Sequence, residues 1–355
     1  MPTPLVSVLI DTYNHERFIE QAIVSVLEQD VSAGEMEVIV VDDGSTDSTP
    51  AIVQKFSPRV RYLRKANGGQ ASAFNAGIPE TRGEIVAFLD GDDWWTKGKL
   101  RVVLDQLAKR PDVGAVGHGF YEVDSASNPH CVLVPERAYE VHLGTAAEAR
   151  LFSQLRGFLG TSRFTARKAV LDRILPIPEE LVVEADEYIF TLAPAIAPAV
   201  VLNEPLFYYR LHENNQFMIQ SDDPVRLRRK QSSLAALVRA LPGALAKLRV
   251  SPEVIETVLE PTWVEAQRMK LTIEGGKPWQ TFAVERTSLS LDYSSMDLGY
   301  RLFKWLVLGL TLVTPPRRFY RLRRWYSVSG LRRVRKVLGE PKTAAPVQMG
   351  RPIPG

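Results

Sequence analysis

The stretch that decides the fold reads Ile85-Val86-Ala87-Phe88-Leu89-Asp90-Gly91-Asp92-Asp93, an apolar run that ends in three carboxylates within four positions. Two other short apolar runs, Val6–Ile10 and Val38–Val41, are also rich in β-branched residues and also end in polar side chains. Such runs are typical of strands buried on both faces of a parallel sheet. Helical spacing of the apolar residues between them gives the order β-α-β-α-β. The pattern predicts an α/β fold with a doubly wound, mostly parallel sheet that binds ligands at the carboxyl ends of its strands.

Length and composition predict two structural units. The chain has 355 residues, of which 45% are hydrophobic and 24% charged, as in an ordinary globular protein. Single cores usually stop growing near ~250–300 residues. Between the strand-like segments Val113–Val116 and Val200–Leu211 we expect loops and amphipathic helices, and after about Ser221 the apolar residues keep helical spacing. We therefore predict a ligand-binding α/β domain over residues 1–220 and a helical C-terminal region over residues 221–355.

Two features of the sequence predict a cytoplasmic protein. Cys131 is the single cysteine, so no internal disulfide forms. The N-terminus lacks the basic start and apolar run of a secretory signal.

The C-terminal tail combines an apolar helix with a basic stretch. Leu302–Val313 is too short to span a membrane, which takes ~20 apolar residues. Nine Arg or Lys and no acidic residue lie between Arg317 and Lys336. This pattern predicts either peripheral contact with the inner face of the cell membrane or plain helix packing with a solvated arginine face. The core carries no nucleic-acid-binding motif, so we expect no nucleic-acid partner.

The carboxylates after the third strand predict a metal site. Asp90, Asp92 and Asp93 would repel one another without a cation. Mg2+ and Mn2+ are typically held by one or two carboxylates together with substrate phosphates, so this position predicts a metal-bound diphosphate. The alternative for an isolated Asp-x-Asp is a solvated acidic turn.

The first two strands end in polar segments of the same kind. Asp11-Thr12-Tyr13-Asn14 offers an aromatic ring and polar atoms that suit a nucleoside. In Asp42-Asp43-Gly44-Ser45-Thr46-Asp47, the carboxylate of Asp43 is suited to accept a hydrogen bond from an N–H of a nucleobase. The second segment also suits a helix N-cap. We expect it to serve both purposes, with Asp42 and Asp43 the functional part.

The chain resembles the family 2 glycosyltransferases of GT-A fold over roughly Val6 to Asn215. The segments that carry the resemblance are Val8–Asn14, Val40–Asp47, Asn67–Gln70 with Ala73–Gly77, and Gly83–Asp93. The resemblance implies a Rossmann-like GT-A domain that holds a nucleotide sugar, usually a UDP-sugar. The residues to which it assigns donor binding are Thr12, Tyr13, Asn14, Asp42, Asp43, Asn67, Gln70, Asp90, Gly91 and Asp92. Asp11 is a departure, because relatives commonly have proline there.

The resemblance also implies a catalytic base and a further metal ligand. An inverting transfer needs a base that deprotonates the acceptor hydroxyl. Val183-Glu184-Ala185-Asp186-Glu187 resembles the family's acidic segment, with Asp186 as the expected base and Glu187 or Glu184 as alternatives. An acidic residue in the first turn of a helix is also favoured by the helix dipole without any catalytic duty. Tyr208–Asn215 resembles the family's closing segment and offers His212 to a metal held by Asp90 and Asp92.

These expectations combine into one function and two alternatives. The main prediction is a hexosyltransferase that uses Mg2+ or Mn2+ and passes a sugar from a nucleotide sugar to a glycan or lipid-linked acceptor, in cell-surface polysaccharide or glycan biosynthesis. A sugar nucleotidyltransferase would need a Gly-rich, basic phosphate loop after the first strand, which Asp11–His15 does not offer. A noncatalytic sugar-nucleotide-binding or scaffold protein would keep the fold without the base.

Overall fold

The computed structural model describes residues 5–32, 34–124, 127–212, 223–292, 298–328 and 347–351. Its strands are β1 Val6–Thr12, β2 Met36–Asp42, β3 Arg61–Arg64, β4 Ile85–Asp90, β5 Trp94–Trp95, β6 Ala115–Val123, β7 Pro129–Pro135, β8 Tyr139–Val141, β9 Thr165–Arg167, β10 Ala199–Arg210 and β11 Val347–Arg351. Its α-helices are α1 Ile19–Leu27, α2 Thr49–Gln54, α3 Gln70–Gly77, α4 Lys99–Lys109, α5 Ala146–Leu155, α6 Lys168–Leu171, α7 Ala185–Ile196, α8 Pro224–Lys247, α9 Pro252–Ile273, α10 Pro278–Asp292, α11 Leu298–Thr311 and α12 Pro316–Val328.

The first half of the sheet is parallel, as the sequence predicts. Its strands lie in the order β3-β2-β1-β4, and each neighbouring pair is parallel. Their apolar residues are buried because α1 and α3 pack against the sheet, with Ile19, Ala22, Ile23 and Val26 forming the buried stripe of α1. All four strands therefore end at one edge, where the polar segments of the sequence meet.

The second half of the sheet contains strands that the sequence interpretation missed. Between β6 and β10 we expected loops and helices, and that expectation was wrong for β7, β8 and β9. These strands are short or partly exposed, and each forms antiparallel pairs with its neighbours in the sheet. β8 and β9 pair with distant segments, and β7 is only partly buried, so these strands leave little periodic signal in the local sequence. The α/β class with a helical C-terminal region is confirmed.

The C-terminal helices differ in how they meet the rest of the chain. Apolar residues of α8 and α9, among them Leu234, Leu237 and Val258, belong to the same buried core as the sheet. A smaller cluster joins α9, α10 and α12 through residues such as Leu271, Val284 and Phe319. Among the helices of the described ranges, none has the length and apolar character that crossing a membrane requires.

Several features singled out in the sequence lie outside the described residues. These are the end of the family-like region at Asn215, the domain boundary near Ser221, and the basic stretch beyond Val328 up to Lys336. The division into domains at residues 220 and 221 stays a prediction.

Candidate functional site

The register of the sheet brings two acidic strand ends together. Asp11 at the end of β1 lies directly beside Asp90 at the end of β4. The Gly91 N–H donates to the backbone carbonyl of Asp11 over 2.9 Å, which holds the turn after β4 against β1. A Cβ at Gly91 would stand 2.6 Å from the Thr12 hydroxyl, so this turn fits only without a side chain.

A cavity of about 460 Å³ opens at this edge of the sheet. Its volume lies within the range of small-molecule sites in proteins. The sequence-predicted residues that line it are Asp11, Thr12, Tyr13, Asp43, Asn67, Gln70, Asp90, Asp92, Glu184, Asp186 and Glu187. The structure therefore brings the expected nucleoside, diphosphate and base residues to one cavity, although they are spread over about half of the chain.

Four of the predicted residues do not line the cavity: Asn14, Asp42, Gly91 and His212. Asp42 is fully buried, and its carboxylate accepts hydrogen bonds from the Ser45 N–H at 2.7 Å and the Tyr62 hydroxyl at 2.5 Å. Asn14 accepts a bond from the Thr46 N–H at 2.8 Å. In this arrangement the side chains of Asn14 and Asp42 shape the turn after β2.

Asp43 is held by the loop that precedes α3. One of its carboxylate oxygens accepts from the Gly68 N–H at 2.9 Å and the Lys65 ammonium at 2.7 Å, and the other accepts from the Gly69 N–H at 2.7 Å. The Asn67 side chain donates to the backbone carbonyl of Asp43 at 2.9 Å. Asp43 and Asn67 thus fix the glycine loop at the cavity wall.

The Asp11 and Asp90 carboxyls lie where their ionised forms are disfavoured. Burial, followed by the charge of Asp92, raises the pKa of Asp11 to about 8. One carboxylate oxygen of Asp11 is buried without a hydrogen-bond partner. Burial, followed by the charges of Asp11, Asp93 and Asp92, raises the pKa of Asp90 well above its ordinary value. Like charges at close range destabilise the ionised forms, so this corner of the cavity favours a cation.

Asp92 differs from its neighbours because two histidines face it. Its Oδ2 lies 2.9 Å from His212 Nε2 and 3.8 Å from His15 Nε2. Burial alone would raise the pKa of Asp92, but His15 and the hydrogen bond with His212 outweigh burial and lower it. Asp92 therefore stays ionised when the neighbouring carboxyls are protonated.

The donor set suits a divalent cation that also binds the substrate. Within the described ranges, no group of three or more His, Cys, Asp and Glu side chains is arranged to enclose a metal ion. Mg2+ is commonly bound by one or two carboxylates, with waters and substrate phosphates completing its shell. That partial protein shell is matched by the ionised carboxylate of Asp92 and the unpartnered oxygen of Asp11. It is also matched by Asp90, whose ionised form a nearby cation would stabilise.

The predicted base, Asp186 in the first turn of α7, is bound by a short turn that also contacts the acidic residues after β4. Thr161 donates its N–H to Asp186 Oδ2 at 3.1 Å, and the next residue, Ser162, places its hydroxyl 2.6 Å from Asp93 and 3.2 Å from Asp90. The Gln70 side chain joins the same turn to the start of α7, since it contacts Thr161 at 3.2 Å and the Ala185 N–H at 2.9 Å. Burial raises the pKa of Asp186 above its ordinary value.

The two alternative bases are engaged with the C-terminal helices. Glu187 Oε1 accepts from the Thr262 hydroxyl at 2.5 Å and from Arg156 at 3.1 Å. Glu184 lies 3.1 Å from the ammonium of Lys230 on α8. Asp186 differs from both glutamates, because it accepts hydrogen bonds from the backbone N–H groups of Thr161 and Glu187 and is not paired with a cationic side chain in the described part of the chain.

Some residues of the site have no counterpart in the sequence expectations. His15 was given no role, and it lines the cavity beside Asp92. Arg210 braces the acidic turn, because its N–H donates to Asp93 and its Nε to the Asp92 carbonyl, both at 3.0 Å. Arg163 also lines the cavity. The closeness of His15 to a polar strand end was a usable signal, whereas Arg163 lies in a region without a readable pattern.

Comparisons with known proteins agree with this fold. The family model described as glycosyl transferase family 2 matches residues 7–175. An uncharacterized glycosyltransferase of Nostoc sp. (strain PCC 7120) is 34% identical over 224 residues, which are 60% of this chain and 66% of that protein. The uncharacterized glycosyltransferase EpsJ of Bacillus subtilis (strain 168) is 38% identical over 125 residues, 34% of this chain and 36% of its own. The matches thus reach just under two thirds and about a third of these relatives' lengths.

Among solved structures, S. aureus TarS 1-349 in complex with UDP-GlcNAc has a TM-score of 0.54 and 22% identity, and the match covers 92% of each chain. At this identity the likeness concerns the fold, and it confirms the GT-A architecture. The match of the family model and the sequence relatives leads to one conclusion: residues 7–175 of this chain are a glycosyl transferase family 2 segment.

Proposed function

We propose that this protein is an inverting, divalent-metal-dependent glycosyltransferase that passes a sugar from a nucleotide sugar to an acceptor hydroxyl. One observation carries the proposal. Donor-side carboxylates whose ionised forms repel one another share a cavity with Asp186, an acid on a separate element whose pKa is raised by burial. A noncatalytic sugar-nucleotide-binding protein would need the donor-side carboxylates but would not need Asp186.

The donor half of the cavity supports a nucleoside diphosphate. The Tyr13 ring and the polar atoms of Thr12 and Asn67 line the part of the cavity next to the glycine loop. A protein of the same fold has been solved with UDP-GlcNAc, so a UDP-sugar is the donor to test first. Asp90 and Asp92 would hold Mg2+ or Mn2+ together with the diphosphate, with His212 orienting Asp92. Bound there, the cation would neutralise the charge of the departing diphosphate.

The proposed transfer forms one bond and breaks another at the anomeric carbon. The acceptor oxygen attacks that carbon, and the bond to the diphosphate oxygen breaks, so its electron pair leaves with the nucleoside diphosphate. The proton of the acceptor hydroxyl passes to the Asp186 carboxylate. The backbone N–H of Thr161, 3.1 Å from Asp186 Oδ2, keeps the carboxylate in place for that proton.

The test is to measure donor turnover for the Asp186→Asn and Asp92→Asn variants over a panel of UDP-sugars. General base catalysis contributes typically ~10²–10⁴-fold, so Asp186→Asn should lower kcat by about that factor with little change in donor KM. Asp92→Asn should also weaken the dependence on Mn2+. Asp172→Asn, which alters an exposed acid on the surface, is the control and should keep full activity.

Equal turnover in both cavity variants and in the control would contradict the mechanism. Loss of turnover in Asp92→Asn alone would leave donor binding intact as a function and reassign the base to Glu187 or Glu184.

The partners follow from the same proposal. We propose a glycan or lipid-linked acceptor, in keeping with cell-surface polysaccharide or glycan biosynthesis, and a site of action at the inner face of the cell membrane. Exposed apolar side chains on α11, including Leu302 and Leu306, support contact with a membrane surface. The basic residues of α12 that follow support the same contact.

A further inference from the structure

Arg163 is a partly buried cation that lines the cavity and that the proposed transfer does not use. Among the described residues, no carboxylate lies within ion-pair distance of its guanidinium, and its Nε is buried without a hydrogen-bond partner. By contrast, Arg156 in the same cavity is paired with Glu187 at 3.1 Å. Removing a charge from water is costly unless an opposite charge pairs with it. An anion bound beside Arg163 would therefore be stabilised.

Aromatic packing and a glycine hold the guanidinium in place. Its Cζ lies 4.7 Å from the centre of the Phe120 ring and 5.7 Å from that of Phe207. Such stacking partly compensates the charge without using its N–H donors. A Cβ at Gly160 would stand 2.7 Å from Arg163 Nη2, so the absent side chain makes room for the guanidinium. The donors of Arg163 are thus held in position with no acceptor from the described part of the chain.

The position of Arg163 places it at the reaction centre. It follows Thr161 and Ser162, whose polar groups contact Asp186 and the acidic pair Asp90 and Asp93. Burial lowers its pKa, while Tyr209 and then Asp186 raise it more than Asp93 or Asp90 does. Arg163 therefore lies in the same cavity as Asp186 and on the turn whose backbone binds this proposed base.

We propose that Arg163 binds a carboxylate or phosphate carried by the substrate, and that the enzyme selects an anionic sugar or an anionic acceptor by this contact. This inference rests on the proposed transferase function and deepens it. A guanidinium presents a fixed fork of donors that matches carboxylate and phosphate oxygens two at a time. The substrate's anion would supply the charge that the cavity lacks.

The experiment measures binding to the full chain with two matched pairs of probes in the presence of Mn2+. In the donor arm, calorimetry compares UDP-glucuronate with UDP-glucose. In the acceptor arm, UDP-saturated protein is titrated with glucose 6-phosphate and with glucose. The variants are Arg163→Gln and Arg163→Lys, and Arg228→Gln changes an exposed arginine of α8 outside the cavity as the control.

We expect the wild type to bind the charged member of one pair at least about tenfold more tightly than the uncharged member. The pair that shows this preference identifies whether the donor or the acceptor carries the anion. Arg163→Gln should abolish this preference, Arg163→Lys should keep part of it, and Arg228→Gln should keep all of it. Affinity for UDP alone should not change in any variant, which also serves as the check on folding.

Three results would overturn the inference: no preference in either pair for the wild type, a preference that survives Arg163→Gln, or a loss of UDP affinity in Arg163→Gln equal to the loss for the charged probe. The last result would assign Arg163 to the leaving diphosphate. Absence of UDP binding by the wild type would instead count against the proposed transferase function.

Discussion

The Asp11 carboxyl shows how a single residue reports on the cation that the site favours. It lies beside Asp90 and carries one buried oxygen without a hydrogen-bond partner. Its pKa of about 8 means that the folded protein keeps a proton that the unfolded chain releases near pH 3.8. Removing that proton while the protein stays folded therefore costs free energy, unless a cation takes its place.

This asymmetry predicts how stability depends on pH in the absence of metal. Between about pH 4 and pH 8 the folded state binds more protons at Asp11 than the unfolded state, so the free energy of unfolding should fall as the pH rises. Asp11→Asn does not titrate and should show a smaller fall. Urea unfolding at pH 5 and pH 8, with a chelator present, measures the difference.

Asp30→Asn is the matched control, because Asp30 is an acid whose side chain is 73% exposed. It should follow the wild-type dependence on pH. Equal falls for the wild type, Asp11→Asn and Asp30→Asn would show that the proton on Asp11 does not contribute.

At the level of elements, the glycine loop before α3 joins the nucleoside side of the cavity to the base side. Gly69 has φ +86° and ψ 179°, a conformation that is essentially restricted to glycine. Its N–H donates to Asp43, and a Cβ there would stand 2.6 Å from the backbone carbonyl of Val182. The backbone of this loop can therefore approach the segment before α7 only because no side chain intervenes.

We predict that Gly69→Ala weakens UDP binding and destabilises the protein by more than Gly98→Ala. Gly98 also has a positive φ, +81°, but a Cβ there would have no neighbour within 4 Å, so the change costs only backbone strain of ~1–2 kcal/mol. Denaturant unfolding and UDP titration of both variants provide the comparison. Equal stabilities and unchanged UDP affinity in both would contradict the close approach of the loop to Val182.

The elements also show what the sequence can and cannot predict. β1, β2 and β4 were predictable because buried parallel strands leave continuous apolar runs, and their acidic ends marked the cavity. β9 was missed because its partners β4 and β6 lie far along the chain, and β7 was missed because it is largely exposed or half-buried. Arg163 and His15 lie in the cavity because of tertiary contacts that the sequence does not reveal. Asp42 shows the opposite case, because it belongs to a family-like motif but is buried away from the cavity.

On the scale of the whole molecule, the C-terminal helices connect the cavity to an exposed apolar surface. α8 and α9 contact the base segment through Lys230 and Thr262. Further along, α11 carries large apolar side chains at Leu302, Leu306 and Leu310, each more than half exposed, at successive turns of one face. Amphipathic helices with such a face beside basic residues bind anionic membrane surfaces.

We predict that the wild type floats with vesicles that contain anionic lipid and that a Leu306→Glu, Leu310→Glu double variant does not. The reason is that two leucine side chains that would insert among lipid acyl chains are replaced by negative charges, which anionic headgroups repel. Trp279→Glu, which alters an exposed apolar residue of α10, is the control and should float as the wild type does. A double variant that floats equally well would assign the exposed face of α11 to another partner.

The central claim is that the carboxylates at the sheet edge exist to share a divalent cation with a nucleoside diphosphate. The most direct test is calorimetric titration of UDP into the wild type and Asp92→Asn, each with Mn2+ and with a chelator. We predict that Mn2+ strengthens UDP binding to the wild type by at least about tenfold, since the two ligands bind one charged site, and that Asp92→Asn loses most of this gain. Equal UDP affinity with Mn2+ and with the chelator in the wild type would contradict the claim.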